Sequence, residues 1–274
     1  MALDYEALAE IFAEAALEAS IPVMSIYRGG RRTRRKSDGS PVTDADEAAE
    51  ALILKRLAER LPEVPVVAEE AASEGKTARP GPLFLLVDPV DGTLEFLSGN
   101  GEFTINIALI ADGVPRAGAV YAPALGKLWI GAASASVCTV QPGGALPGRS
   151  ERKPISARPA PKGGLTALAS RSHPSAAAES FLGRLPVIER REAGSSLKFC
   201  LIAEGIADVY PRFGPTMEWD TAAGDAILRA AGGIVTDERG EPLRYGKVDV
   251  KFANGPFIAW GDPEAVRVAL AQTA

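Results

Sequence analysis

The chain has 274 residues, 46% of them apolar and 24% charged, with a net charge of −5. That is enough for one large or two modest soluble cores, and the acidic balance gives no support to a nucleic-acid binder. Two cysteines, Cys138 and Cys200, and one histidine, His173, exclude a disulfide scaffold and a multi-histidine zinc site, so any metal must rest on carboxylates and carbonyls.

The N-terminal stretch places Leu3, Leu8, Ile11, Phe12, Ala15 and Ala16 at helical spacing with acids between them. It predicts an amphipathic helix ending near Ser20, before Pro22. An acidic start does not read as a signal peptide, and no run approaches the roughly 20 apolar residues of a membrane span. Cytoplasm is the default expectation, with peripheral inner-membrane association left open.

Arg31 to Lys36 form a basic run flanked by Gly29 and Gly30. It reads as a solvated loop or hairpin, or else as a loop that attracts an anionic substrate. Thr43 is a plausible N-cap for a helix over 47–61. Pro65 to Ala68 reads as a short strand that ends at Glu69-Glu70.

Leu83-Phe84-Leu85-Leu86-Val87 is an unbroken apolar run, the pattern of a buried strand. It leads straight into Asp88-Pro89-Val90-Asp91-Gly92-Thr93. Proline and glycine fix a turn there, so two carboxylates, a carbonyl and backbone amides gather at a strand's end. Hard cations such as Mg²⁺ take such oxygens, and phosphate oxygens take the amides. Strands are expected over 103–110 and 117–121, with a hairpin at Gly113.

The Pro/Gly/Ser-rich stretch from Cys138 to Gly164 reads as a junction with a loose hairpin. The expected division is an α+β domain over 1–135 and an α/β domain over 136–274. In the second, 165–170 and 207–210 read as strands, and 176–185, 196–204 and 220–231 as helices, the last closed by Gly232-Gly233. Trp219-Asp220-Thr221-Ala222-Ala223-Gly224-Asp225 puts an acid at a helix start with small residues behind it. Asp220 there is a cap, or an acid that close packing brings toward the others. Asp46, Glu69, Asp88, Asp91 and Asp220 all stand at element ends. Taken alone, Lys198 and Arg212 read as ordinary surface charge. Lys198 follows Ser195 by three residues, as on one helical face.

Glu69-Glu70, the Asp88–Thr93 turn and Trp219–Asp225, in that order and spacing, resemble the Mg²⁺-dependent, lithium-sensitive phosphatases of the inositol monophosphatase superfamily. The resemblance runs from about Lys36 to Gly255. Segments 36–43, 100–104, 170–173, 194–200 and 210–216 narrow it to the bacterial 3′(2′),5′-bisphosphate nucleotidase branch. Ala68 departs from the Ser or Gly frequent in relatives before the Glu-Glu pair, and leaves the ligand in place.

The resemblance implies a layered αβαβα sandwich of the inositol monophosphatase, or sugar phosphatase, type. It implies that Glu69, Asp88, Asp91, Asp220 and the carbonyl of Val90 hold two or three Mg²⁺ ions, with Mn²⁺ as a substitute. Asp46, Glu69 and Thr93 take catalytic roles; Asp46 supports a mobile metal and pairs with Thr93, whose bare hydroxyl is a poor base. Substrate contacts are implied for Glu69, Val90, Asp91, Gly92, Thr93 and Asp220 at the reacting phosphate. At the nucleotide they are implied for His173, Ser195, Lys198 and Arg212. The implied reaction converts adenosine 3′,5′-bisphosphate, and also the 3′-phospho-5′-phosphosulfate, with direct attack by water, in sulfur metabolism. The alternatives are an inositol monophosphatase, a sugar bisphosphate phosphatase and a non-catalytic nucleotide or metal binder. The implied partner is a small nucleotide, with no nucleic acid and no stable membrane insertion; the oligomeric state is left open.

Overall fold

The computed structural model describes residues 3–30, 33–35, 41–77 and 79–271. Helix α1 (Tyr5–Gly29) starts at an Asp4 cap, whose carboxylate accepts the Ala7 N–H at 3.1 Å. It runs through Pro22 instead of stopping before it. Proline removes one helical donor, the one that would reach the Glu18 carbonyl. Beside it, the carbonyl of Leu17 takes the Ser20 hydroxyl at 2.5 Å and the Gly143 N–H at 3.1 Å. Val23 and Met24, beyond the proline, are buried with the rest of the apolar face, and that burial outweighs the missing bond.

Strands β1 (Thr33–Arg35) and β2 (Pro41–Thr43) make an antiparallel hairpin. Arg34 is held by Asp44 at 3.1 Å and Glu47 at 2.8 Å. Arg31, Arg32 and Lys36, the rest of the basic run, lie outside the described residues. Helix α2 (Asp44–Arg60) begins three residues before the expected start, because Thr43 and Asp46 form a reciprocal capping box.

Strand β3 (Val66–Ala68) leads into α3 (Glu69–Ser73), then β4 (Leu83–Asp91) and α4 (Thr93–Ser98). Next come β5 (Thr104–Ala111) and β6 (Val114–Ala122), β7 (Lys127–Gly131), β8 (Ala135–Thr139) and β9 (Lys153–Ile155). The β5–β6 turn is Asp112-Gly113, both at positive φ, the geometry a two-residue hairpin requires. These strands form one sheet in the order β3-β4-β5-β6-β7-β8-β9. It therefore reaches Ile155, past position 135.

The second sheet uses β10 (Leu165–Ser170), β11 (Val187–Ala193), β12 (Val209–Arg212), β14 (Ile234–Thr236) and β16 (Phe257–Trp260), in the order β11-β10-β12-β16-β14. Its helices are α5 (Ala176–Leu182), α6 (Leu197–Ala203), α7 (Glu218–Ala230) and α8 (Pro263–Ala271). A short pair, β13 (Thr216–Met217) with β15 (Ala253–Asn254), holds the entry to α7.

Alternation along the strands sorts the core into layers. Ile105, Ile107 and Leu109 of β5 face α1 and α2, whereas Ala108 and Ile110 face α6 and α7. Phe257 and Ala259 of β16 face the same central helices, and Ile258 and Trp260 face α5 and α8. The result is helix, sheet, helix, sheet, helix, the expected αβαβα sandwich. Close approach places α7. A Cβ on Gly131 would stand 2.6 Å from the Ile227 Cα, and one on Gly118 would stand 2.9 Å from the Ala223 carbonyl oxygen. Neither position has room for a side chain.

Candidate active site

A cavity of about 300 Å³ opens where the two sheets' strand ends face each other. Glu69, Asp88, Val90, Asp91, Gly92, Thr93, His173, Ser195, Lys198, Arg212 and Asp220 all line it. Asp46 does not. It is buried, and its Oδ2 accepts the Thr43 N–H at 2.8 Å and the Thr43 hydroxyl at 2.5 Å. Strand β2, which ends at Thr43, touches α4, which begins at Thr93.

Register explains the convergence. Strand β3 runs parallel to β4 with Ala68 beside Val87, so Glu69 emerges next to Asp88. In a regular strand, Asp88 and Asp91 would point to opposite faces. The β4–β5 ladder slips between them: Asp88 pairs Asn106 and Asp91 pairs Thr104. Three steps on β4 match two on β5, and this bulge turns both acids to one side. Asp220 enters from α7, with its Oδ2 capping the Met217 N–H at 2.8 Å.

Burial raises the pKa of Asp88 well above the ordinary carboxylate value, and the charges of Glu69, Asp91 and Asp220 raise it further. Burial does the same to Asp220, followed by Asp91 and Glu69. Four acids thus share one electrostatic site. Among the described residues no three of them already form a closed metal-holding group. The donors are all hard oxygens whose mutual repulsion a divalent cation would replace with attraction. The set therefore fits Mg²⁺ or Mn²⁺.

Asp91 is held by groups that sequence reasoning missed. The Ser196 N–H donates to its Oδ2 at 2.5 Å, with Asn106 Nδ2 at 3.4 Å and the Thr104 hydroxyl at 3.5 Å. Ser196 Oγ donates to Asn106 Oδ1 at 2.8 Å. Burial lifts the Asp91 pKa to about 6, against the pull of Lys198 and the Ser196 amide. Asn106 could have been noticed, because it is a lone amide in the apolar run of β5. Glu50 left no such signal. Its carboxylate accepts the N–H groups of Glu70 at 2.7 Å and Ala71 at 2.8 Å, which fixes the start of α3 and hence Glu69.

The cationic side is built at the carboxyl ends of parallel strands, where open α/β sheets place their ligands. Strand β10 ends just before His173, β11 before Ser195 and Lys198, and β12 at Arg212. Lys198 and Arg212 are not surface charge: they are 3% and 9% exposed. Lys198 Nζ donates to the carbonyls of Ser195 at 2.6 Å and Ala193 at 3.2 Å, and lies 5.0 Å from the Tyr210 ring centre. Burial lowers its pKa to about 8, although Asp91 and Glu95 pull the other way. Burial and then Arg212 lower the pKa of His173. Among the described residues, Arg212 keeps one donor, Nε, buried without a partner, as Ser195 does its Oγ.

Ser195 does not share a helical face with Lys198. It precedes α6 with φ +42°, a strained left-handed conformation for a side-chain-bearing residue, of the kind that gathers at functional sites. A Cβ on Gly92 would meet the Ser195 Cβ at 3.1 Å, so the turn after Asp91 must be glycine, the more so at φ +89°.

A layered αβαβα fold with an acid cluster and buried cations lining one cavity defines a metal-assisted phosphatase class. The chain matches the inositol monophosphatase family over residues 4–272, and it belongs to that family. It is 42% identical over 235 residues to the 3′(2′),5′-bisphosphate nucleotidase CysQ of Escherichia coli K12, covering 84% of this chain and 90% of that one. It is 40% identical over 240 residues to the CysQ of Buchnera aphidicola, covering 86% and 87%. Among solved structures, CysQ from Bacteroides thetaiotaomicron superposes with a TM-score of 0.79 at 36% identity, covering 95% of this chain and 99% of that one. An inositol monophosphatase from Anabaena gives a TM-score of 0.75 at 26% identity, covering 98% and 97%. Among the described residues, no helix is long and apolar enough to cross a membrane.

Proposed function

We propose that this chain is a Mg²⁺-dependent 3′(2′),5′-bisphosphate nucleotidase that hydrolyses the 3′-phosphate of adenosine 3′,5′-bisphosphate to AMP and phosphate. The 3′-phosphoadenosine 5′-phosphosulfate is a second substrate. The observation that carries the reading is the cavity's mixed lining. It brings the acids Glu69, Asp88, Asp91 and Asp220 together with the buried cations Lys198 and Arg212 and with His173. A substrate with one phosphate, held by the acids' metal, would leave Arg212 Nε and Ser195 Oγ unfilled. One with two phosphates gives both sets a partner. The identity to CysQ enzymes over most of both chains supports the same assignment.

Glu69, Asp88, Asp91, Asp220 and the Val90 carbonyl would hold two or three Mg²⁺ ions, with Mn²⁺ as substitute. Bound there, the metal supplies an acidified water and neutralises charge on the phosphate and the leaving oxygen. The chain's own groups do the rest. The amides of Gly92 and Thr93 cradle the phosphate oxygens. The Thr93 hydroxyl orients the attacking water, and Glu69 accepts its proton. Asp46 acts at one remove, by fixing Thr43 against the start of α4. The water oxygen bonds to phosphorus as the bond to O3′ breaks, and a proton passes to O3′. Ser195, Lys198, Arg212 and His173 hold the remote 5′-phosphate and set the nucleotide's position.

The test is phosphate release at fixed Mg²⁺ from adenosine 3′,5′-bisphosphate and from inositol 1-phosphate. The bisphosphate is expected to have a kcat/KM at least about 10²-fold higher, since buried donors left without a partner penalise the wrong substrate. Equal or reversed values would move the assignment to an inositol phosphatase, and no release from either would support a non-catalytic binder.

A further inference from the structure

Glu95 is a buried carboxylate that the mechanism above does not use. It sits on α4, is 3% exposed, and lines the cavity. The Ser172 hydroxyl donates to its Oε1 at 2.5 Å. No described residue donates a hydrogen bond to its Oε2, and none forms an ion pair with it. Two glycines make room for it. A Cβ on Gly194 would stand 2.5 Å from the Glu95 Cγ, and one on Gly92 would stand 3.2 Å from Oε2. The charge of Glu95 acts on Asp91, His173 and Lys198. Its Oε2 lies beside the Gly92 turn that follows Asp91.

With no donor from the described residues, Oε2 is placed to accept a hydrogen bond from a group of the bound substrate. A phosphate would be repelled there, so the substrate's contribution is an uncharged donor. Given the function proposed above, on which this step rests, the sugar adjoins the reacting phosphate and so lies near the Gly92 turn. In a 3′,5′-bisphosphate both of those oxygens are esterified. The 2′-hydroxyl is the one sugar donor left, on the carbon next to the ester that is cleaved. The geometry points to Glu95 as a specificity-determining residue whose Oε2 accepts that hydroxyl.

The test compares adenosine 3′,5′-bisphosphate with its 2′-deoxy analogue, using wild-type protein, Glu95→Ala and the near-isosteric Glu95→Gln. Wild type is expected to favour the ribo substrate by about 10- to 100-fold in kcat/KM, the range for a hydrogen bond to a charged group. The preference should fall to within about threefold of unity in Glu95→Ala. In Glu95→Gln it should drop several-fold, since a neutral bond is about half as strong. A purely structural role would lower both substrates together and leave their ratio intact. An unchanged ratio in whichever variant folds, or no preference in wild type, overturns the inference while the nucleotidase reading stands. Failure of wild type to cleave either compound removes both.

Discussion

Asp91→Asn is expected to reduce phosphate release from adenosine 3′,5′-bisphosphate by at least about 10³-fold, with the fold preserved. The substitution keeps size and shape. Asparagine can still accept the Ser196 N–H, which reaches Asp91 at 2.5 Å, so the turn keeps its anchor. What it removes is an anionic oxygen at the centre of the acid cluster. Stability should not fall. Burial raises the folded pKa of Asp91 to about 6, and an acid raised on folding favours the native state below its unfolded pKa and loses that contribution as pH rises through 6. Without divalent cations, the ionised group opposes folding at neutral pH, so the variant's metal-free thermal midpoint should match or exceed the wild type's. Steady-state phosphate release and a melting curve check both halves. Retained turnover at saturating Mg²⁺ would remove Asp91 from the metal set, and a collapsed melting curve would make it a structural residue.

Lys198→Met should raise KM for adenosine 3′,5′-bisphosphate by about 30- to 100-fold, while KM for a small aryl phosphate moves less than about threefold. Methionine fills the buried space of the lysine stem beside Tyr210 without its charge. Lys198 also acts on Asp91, since its charge lowers the Asp91 pKa. Any loss by that route affects both substrates equally, so the split between them isolates the contact with the remote phosphate. The pH profile gives a second reading. The Lys198 pKa is lowered to about 8 in the substrate-free protein, so its charge is present below that value and lost above it. For the bisphosphate, kcat/KM should fall through pH 8 in wild type, and that limb should be absent in the variant. Equal changes for both substrates would place the second phosphate elsewhere.

Most of the acid site is legible in the sequence, for reasons of local chemistry. A continuous apolar run ending in two acids, a proline and a glycine defines a buried strand and a constrained turn, and β4 with its bulge is that arrangement. The small residues after Asp220 imply close packing, and Gly118 and Gly131 supply the facing surface. The errors are equally physical. Proline at 22 was read as a stop, but burial on both sides of it carried α1 through. Strand β11 was missed because Ile188 to Glu192 are exposed on an edge that pairs on one side alone, so its sequence is charged, as edges usually are. Taken alone, Lys198 reads as surface charge, and only the resemblance places it at the nucleotide, because nothing in its neighbours announces that Ala193 and Ser195 turn their carbonyls onto it. Glu50, Asn106 and Ser196 act through backbone contacts or across strands. Those partnerships depend on sequence separations of 15 to 105 residues that no local pattern encodes.

The most direct test of the acid cluster as a divalent-cation site is phosphate release in excess chelator, followed by back-titration with Mg²⁺. Turnover should vanish with the metal and return with a dependence steeper than one ion per active site. Undiminished release from adenosine 3′,5′-bisphosphate with all divalent cations sequestered would contradict the account.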